Sequence, residues 1–256
     1  MEEQLSIRRA CSAIHLSRKA WYYQSVKEPD DPLIEALNEV ADKHPGYGFW
    51  KLYHVLRRQG HTWNHKRVYR VYTSLKMNLR RRARKRLPKR IKHPLNLPAQ
   101  PNEVWSMDFM SDSLWDGRRF RVLNIIDDYN REALGMEVDT SINAKRVIRV
   151  LDRITEERGT PQEIRVDNGP EFLSYAFTLW CQERNIQIKF IQPGKPTQNA
   201  YIERFNGSFR SELLNMYVFK TLNDARELTD HWKQTYNFER PHHALNHLTP
   251  MEFINQ

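Results

Sequence analysis

The chain has 256 residues, 39% of them hydrophobic and 28% charged, with a formal net charge of +10. That is enough for one large domain or two modest ones with cores of their own. No run approaches the roughly 18 apolar residues of a membrane span, and "MEEQLSIRRACSAIHLS" has no apolar block of the kind a secretory signal needs, which points to the cytoplasm. Cys11 and Cys181 are the only cysteines, so neither a disulfide framework nor a cysteine-based zinc site is indicated. His61 and His65 have helical spacing but no Cys or acidic neighbours to complete a metal site.

The charge is unevenly spread. From Lys43 to Asn102 there are 17 Lys and Arg and no Asp or Glu, leaving 24 basic against 31 acidic residues elsewhere. One part of the chain is suited to a polyanion. The rest is not.

In chain order, "SIRRACSAIHLSRKAWYY" (6 to 23) predicts two short helices around a turn near Ala13 to Leu16, with Ser17 capping the second, which is helix-turn-helix spacing. Leu33, Ile34, Leu37, Val40 and Ala41 repeat at helical spacing until "HPGYG" breaks the pattern. Helices follow at about 49 to 58, with Leu52, Val55 and Leu56 inward, and at about 65 to 77, with Val68, Val71, Tyr72 and Leu75 inward. The last of these would expose Lys66, Arg67 and Arg70 to a duplex. Next comes "KMNLRRRARKRLPKRIKHPLNLPAQP", a basic tether holding Arg80, Arg81, Arg82, Arg84, Lys85 and Arg86. It runs into an extended segment punctuated by Pro94, Pro98 and Pro101.

Beyond the prolines the period becomes strand-like. "VWSMDFM" (104 to 110), "RFRVLNIIDD" (119 to 128) and "ALGMEVD" (133 to 139) read as successive strands, the first two joined through the Asp-Gly turn of "WDGR". A helix over about 143 to 158, the strand "EIRVD", a helix over about 171 to 184, the strand "IQIKFI" and a final helix complete the order β-β-β-α-β-α-β-α. An antiparallel meander continued by parallel crossovers gives an α/β fold, a mixed five-stranded sheet flanked by helices.

On the last helix Ile202, Phe205, Phe209 and Leu213 form one apolar face, while Asn199, Glu203, Asn206 and Arg210 form the face beside it. Glu203 thus sits at the border of interior and solvent, where a carboxylate is costly without a positive partner. Asp108 in the first strand and Asp167 at the end of the fourth are placed to converge with it, Asp127 and Asp128 being alternatives at the end of the second strand. Three carboxylates in one site raise one another's pKa. A divalent cation relieves the repulsion, and an all-oxygen set suits Mg2+ or Mn2+.

The stretches "WSMDFM", "VDNGPEF" and "PGKPTQNAYIERFNGSFRSEL", with 35 residues between Asp167 and Glu203, closely resemble the DDE motif of retroviral integrases and related transposases. The tail "YNFERPHHALNHLTPMEF" and the stretches "HPGYGFWKLYHVLRRQG" and "NHKRVYRVY" extend the resemblance over nearly the whole chain, to the OrfB transposase of the insertion sequence 3 family. It implies a ribonuclease H-like integrase catalytic core preceded by an all-α helix-turn-helix region. The division would be 1–30, a short helix-turn-helix-like segment; 31–78, a helical DNA-binding domain; 79–100, a basic linker; and 101–256, the catalytic core with a helical tail.

The resemblance further implies that Asp108, Asp167 and Glu203 are catalytic and hold two Mg2+ ions, with Mn2+ as substitute. Arg210 and Lys195 would contact DNA, and Asn199 would line the same cleft. The implied activity is phosphodiester hydrolysis at element ends followed by strand transfer from a 3′-hydroxyl, in the bacterial cytoplasm and on the nucleoid. The implied partners are duplex DNA, both terminal inverted repeats and target, the upstream-frame OrfA product or a fusion to it, and further copies of the chain. Two departures stand out: Gln198 where many relatives carry an acid, and His15 where the first helix-turn-helix has a turn glycine. A plain nuclease on the same fold and a non-enzymatic DNA-binding regulator are the rival readings. Asp127 and Asp128 read as strand-terminating, Trp105, Phe109 and Phe172 as core, and His242 and His243 as packing residues of the tail.

Overall fold

A computed structural model of the chain describes residues 6–24, 29–79, 98–192 and 199–256. The tether residues Arg80, Arg81, Arg82, Arg84, Lys85 and Arg86, together with Lys195, lie outside the described residues.

Helices α1 (Ile7–Ala13) and α2 (Arg18–Trp21) flank a turn in which His15 takes a φ of +52°. That left-handed conformation is one a glycine adopts without strain. Ser17 caps α2, its hydroxyl accepting from the Ala20 N–H at 3.1 Å. Helices α3 (Asp31–Lys43), α4 (Phe49–Arg58) and α5 (His65–Ser74) then close on a core of their own. Leu33, Leu37, Val40, Leu52, Leu56, Val68, Val71 and Tyr72 are all buried in it. The helix expected to reach residue 77 stops at Ser74, because Lys76 turns left-handed at a φ of +56°.

Strand β1 (Val104–Ser113) pairs antiparallel with β2 (Arg119–Asp127), and β2 pairs antiparallel with β3 (Ala133–Asp139). β1 runs three residues beyond its expected end, since its ladder with β2 continues to Ser113 opposite Arg119. Helix α6 (Ala144–Arg158), capped by Asn143, leads into β4 (Glu163–Val166), and α7 (Tyr175–Glu183) leads into β5 (Gln187–Phe190). Both crossover strands join in parallel, giving the order β3-β2-β1-β4-β5. α7 begins four residues later than the apolar pattern suggests. The Phe172 N–H donates to the Gly169 carbonyl, and Ser174 supplies the cap by accepting from Phe177 N–H at 3.3 Å.

Helix α8 (Ala200–Phe209) continues without a break into a wider π turn, Arg210–Leu214. Helix α9 (Leu222–Phe238) and the short α10 (Pro250–Ile254) complete the tail. The alternating side chains of β1 divide between two cores. Trp105 and Met107 pack with α6 and α7, and Met110 packs with Ile202, Phe205 and Phe209 of α8 and Trp232 of α9. At Gly135 in β3 an added Cβ would lie 2.6 Å from Ile154 Cδ1, so the close approach of α6 depends on that glycine. No helix among the described residues is long and apolar enough to cross a membrane.

Candidate active site

Side chains alternate across a strand, so Asp108 shares the face of Met110, the side of the sheet that α8 covers. β1 and β4 are parallel with Ser106 opposite Arg165. Extending that register by two residues brings Asp167 level with Asp108, just past the end of β4. Glu203 projects from the first turn of α8 on the flank beside Ile202, which is fully buried. Three acids 59 and 36 positions apart therefore lie toward one region, from the middle of β1, a point just past the end of β4 and the first turn of α8.

Burial, with the Asp167 and Glu203 carboxylates nearby, pushes the Asp108 carboxyl up to about 6 against the pull of two hydrogen bonds. Those bonds come from the Phe109 N–H to Oδ1 at 2.8 Å and from Asn206 Nδ2 to Oδ2 at 2.7 Å. Asn206 is itself held by Asn124, whose Nδ2 donates to Asn206 Oδ1 at 2.8 Å. Asn124 stands directly opposite Asp108 in the β1–β2 ladder and is fully buried. Asp167 turns back on its own loop, Oδ1 accepting from the Gly169 N–H at 2.9 Å. Burial raises the Glu203 carboxyl as well, although that side chain remains exposed.

The carboxylates are not drawn into a closed cage. Among the described residues no group of three His, Cys, Asp or Glu is close enough to hold a metal ion.

Burial overturns the accessible positions expected of Arg67 and Asn199, while Arg210 and Arg70 stay accessible but already hold acidic partners. Arg210 is engaged within the protein, donating from Nη1 to Asp112 Oδ2 and from Nη2 to the Ser111 carbonyl, both at 2.8 Å. Asn199 is buried at 3% exposure, with an Oδ1 that has no partner among the described residues, and does not line an open cleft. Arg67 is not an exposed side chain of α5. It lies mostly covered, with Nε on Asp30 Oδ1 at 3.1 Å. Arg70, though well exposed, meets the other oxygen of Asp30 at 2.7 Å. Lys66 is exposed as expected.

Asp127 and Asp128 are structural. Asp127 accepts from the Asn102 and Tyr129 N–H groups, and Asp128 pairs with buried Arg165 at 2.8 Å. Trp105 and Phe172 are fully buried, and Phe109 is half-buried against them. His242 packs in the tail with its carbonyl-side neighbour Tyr236 and titrates only at about 3, chiefly because it is buried.

The chain matches two models described as "Integrase core domain", over residues 98–196 and 184–250, and one described as "HTH-like domain", over 28–86. It is 43% identical over 250 residues to an uncharacterized 31.7 kDa protein of insertion element IS407 from Burkholderia multivorans, covering 97% of this chain and 90% of that protein. It is 24% identical to the transposase for insertion sequence element IS629 of Shigella sonnei, covering 98% of this chain and 92% of the relative. In fold it resembles a chain from the cryo-EM structure of a simian T-cell lymphotropic virus intasome in complex with the PP2A regulatory subunit B56 gamma. That likeness has a TM-score of 0.53 and 16% identity, over 86% of this chain and 74% of the other.

Proposed function

Because the chain belongs to the insertion-element transposases built on an integrase core domain, we propose that Asp108, Asp167 and Glu203 are its catalytic residues. They would act in cutting element ends and in joining the freed 3′-hydroxyl to target DNA. The observation that carries this reading is the placement of Asp108: a mostly buried acid, level with Asp167 and oriented by Asn206, whose carboxyl is raised chiefly by burial and further by the Asp167 and Glu203 carboxylates.

The all-oxygen donor set and the excess of negative charge fit divalent cations, which Asp108, Asp167 and Glu203 would hold as Mg2+ or Mn2+. When bound, such ions activate an attacking oxygen and stabilise a leaving one in phosphoryl transfer. The rest is done by the chain's own groups. Asn206 fixes the Asp108 carboxylate, Asn124 fixes Asn206, and the Asp167 turn is closed by the Gly169 N–H. Lys66 and the tether from Arg80 to Arg86, with Lys195, would bind duplex phosphates, Arg67 and Arg70 would do so after exchanging Asp30 for a phosphate, and Arg210, 37% exposed, would do so while keeping Asp112. Work in the bacterial cytoplasm, assembly of several copies on DNA, and cooperation with an upstream-frame OrfA product complete the proposal.

The test is a gel assay of the full chain with Mn2+, a plasmid target and a pre-cut duplex carrying the end of the element that encodes it. Joined product is expected. Cutting of either DNA with no joined product would identify a plain nuclease instead.

A further inference from the structure

Two sequence stretches that the active site does not use, around Tyr47 and around His242, meet in the structure. Lys51 on α4 donates from Nζ to Glu212 Oε1 at 2.7 Å. Arg240 forks onto the same carboxylate, Nε to Oε2 and Nη2 to Oε1, both at 2.8 Å. The side chains of Glu212 and Arg240 are only 6% and 7% exposed, so two members of this charge cluster are nearly closed off from water, and Lys51, 30% exposed, reaches them from the edge. A Cβ at Gly46 would lie 3.4 Å from Glu212 Cγ, which shows how closely the loop before α4 covers that carboxylate. Farther along α4, Arg58 donates to the carbonyls of Glu239 and His247 at 3.1 and 2.9 Å, and His54 stacks on His247 with ring centroids 3.8 Å apart.

Glu212 sits in the middle of the π turn, whose first residue, Arg210, grips Asp112 and the Ser111 carbonyl of β1. Asp112 is on the same strand face as Asp108, four residues on. A π turn holds one more residue than an α turn and is commonly found at functional sites. It also has an alternative, the α-helical register that would continue α8. Such an element with two discrete arrangements is what physical coupling between distant parts requires.

We propose that Lys51 is a positioning residue for the active site: by docking on Glu212, it holds the π turn in the register at which Arg210 grips strand β1 at Ser111 and Asp112, on the strand that carries Asp108. The helical unit thereby contributes to the geometry of the catalytic strand as well as to DNA binding. This rests on the reading of Asp108 as catalytic.

The experiment compares the full chain with Lys51→Met, Lys51→Arg and Arg58→Ala. It follows hydrogen exchange of the 210–216 amides without DNA, and end-joining at saturating pre-cut duplex. The Asn215 N–H, which donates to the Arg210 carbonyl at 2.9 Å, reports on the turn directly. Lys51→Met is expected to speed exchange there and to slow joining, each by about tenfold. Duplex affinity should stay within about twofold, and Lys51→Arg should recover most of both losses. Arg58→Ala, which loosens the dock without touching Glu212, should show a smaller change in the same direction. Unchanged exchange and joining in Lys51→Met would overturn the proposal, as would a loss that Lys51→Arg does not recover. If the unsubstituted chain joins no DNA, the reading of Asp108 fails, and the exchange comparison still decides the coupling.

Discussion

Asn206 Nδ2 lies 2.7 Å from Asp108 Oδ2, a contact that ties the helix carrying Glu203 to the strand carrying Asp108. Asn206 is one turn after Glu203 on α8, so a single side chain sets the distance between two of the three acids. Its other end is fixed by Asn124, which leaves the amide little freedom to turn.

Asn206→Ala should therefore reduce strand joining by about 10 to 100-fold, the range found when a partner that orients a metal ligand is lost. The same substitution should cost about 1 to 2 kcal/mol of stability, since the buried Asn124 amide loses its partner. Joining rates beside a denaturant melt separate the two effects. A loss of activity no larger than the loss of folded protein would count against an orienting role.

Asp30 holds Arg70 and Arg67 together at the start of the helical unit, and their hydrogen bonds keep its carboxyl below the usual range. Asp30→Asn should weaken the hold on both guanidinium groups and ease their exchange onto phosphate, although Arg67 keeps its bond to the Pro29 carbonyl. Each additional phosphate contact steepens the fall of log affinity with log salt by about 0.9. Duplex binding measured from low to physiological salt should show tighter binding at low salt and a slope steeper by about one to two. An unchanged slope would mean that α5 faces away from DNA.

Replacing Arg80, Arg81, Arg82, Arg84, Lys85 and Arg86 with serine should flatten the same plot by about 5 if all six meet phosphates. A slope that does not move would make this run a solvated tether and leave the grip to the folded units.

His242 is buried beside Arg240 and, with burial as the main cause and the guanidinium adding to it, titrates at about 3 rather than near its ordinary 6.5. The unfolded chain therefore binds a proton that the folded chain refuses. The stability this contributes is complete above about pH 6.5 and is lost as pH falls towards 3, at up to about 1.4 kcal/mol per pH unit. A His242→Gln variant should show a shallower loss of stability between pH 6.5 and 5 than the unsubstituted chain. Parallel curves would mean that other groups carry the acid sensitivity.

Much of the fold was legible because each strand and helix has a clean period and a clear stop. The Asp-Gly turn at 116–117, the cap at Ser17 and the change of period after Pro101 all mark real boundaries. The apolar face of Ile202, Phe205, Phe209 and Leu213 is buried as its spacing requires. Boundaries failed where a local hydrogen bond overrode the pattern, as at Ser174, where the cap delays α7 until the turn around Gly169 is complete.

At the candidate site, the sequence singled out one acid within a strand, one at a strand end and one on a helix flank, but not the residues that contact them. Asn124 contacts Asn206 across 82 positions, Arg210 meets Asp112 across 98 and Lys51 meets Glu212 across 161. Nothing periodic links such pairs. Asn206, on the same helix face as Glu203, was the one whose position could have announced it, and Arg67 was misjudged because its acid, Asp30, belongs to a different helix end.

The most direct test of the central claim is strand joining by Asp108→Asn and Glu203→Gln in the full chain, measured beside thermal melting without metal. Both substitutions keep the side-chain volume and remove a repelling charge, so melting should hold or rise in Glu203→Gln and change little in Asp108→Asn, where one lost acceptor offsets the relief of charge, while joining falls by more than about a hundredfold in both. Residual joining at a tenth of the normal rate in either variant, with the fold intact, would contradict the assignment of these carboxylates to the chemistry.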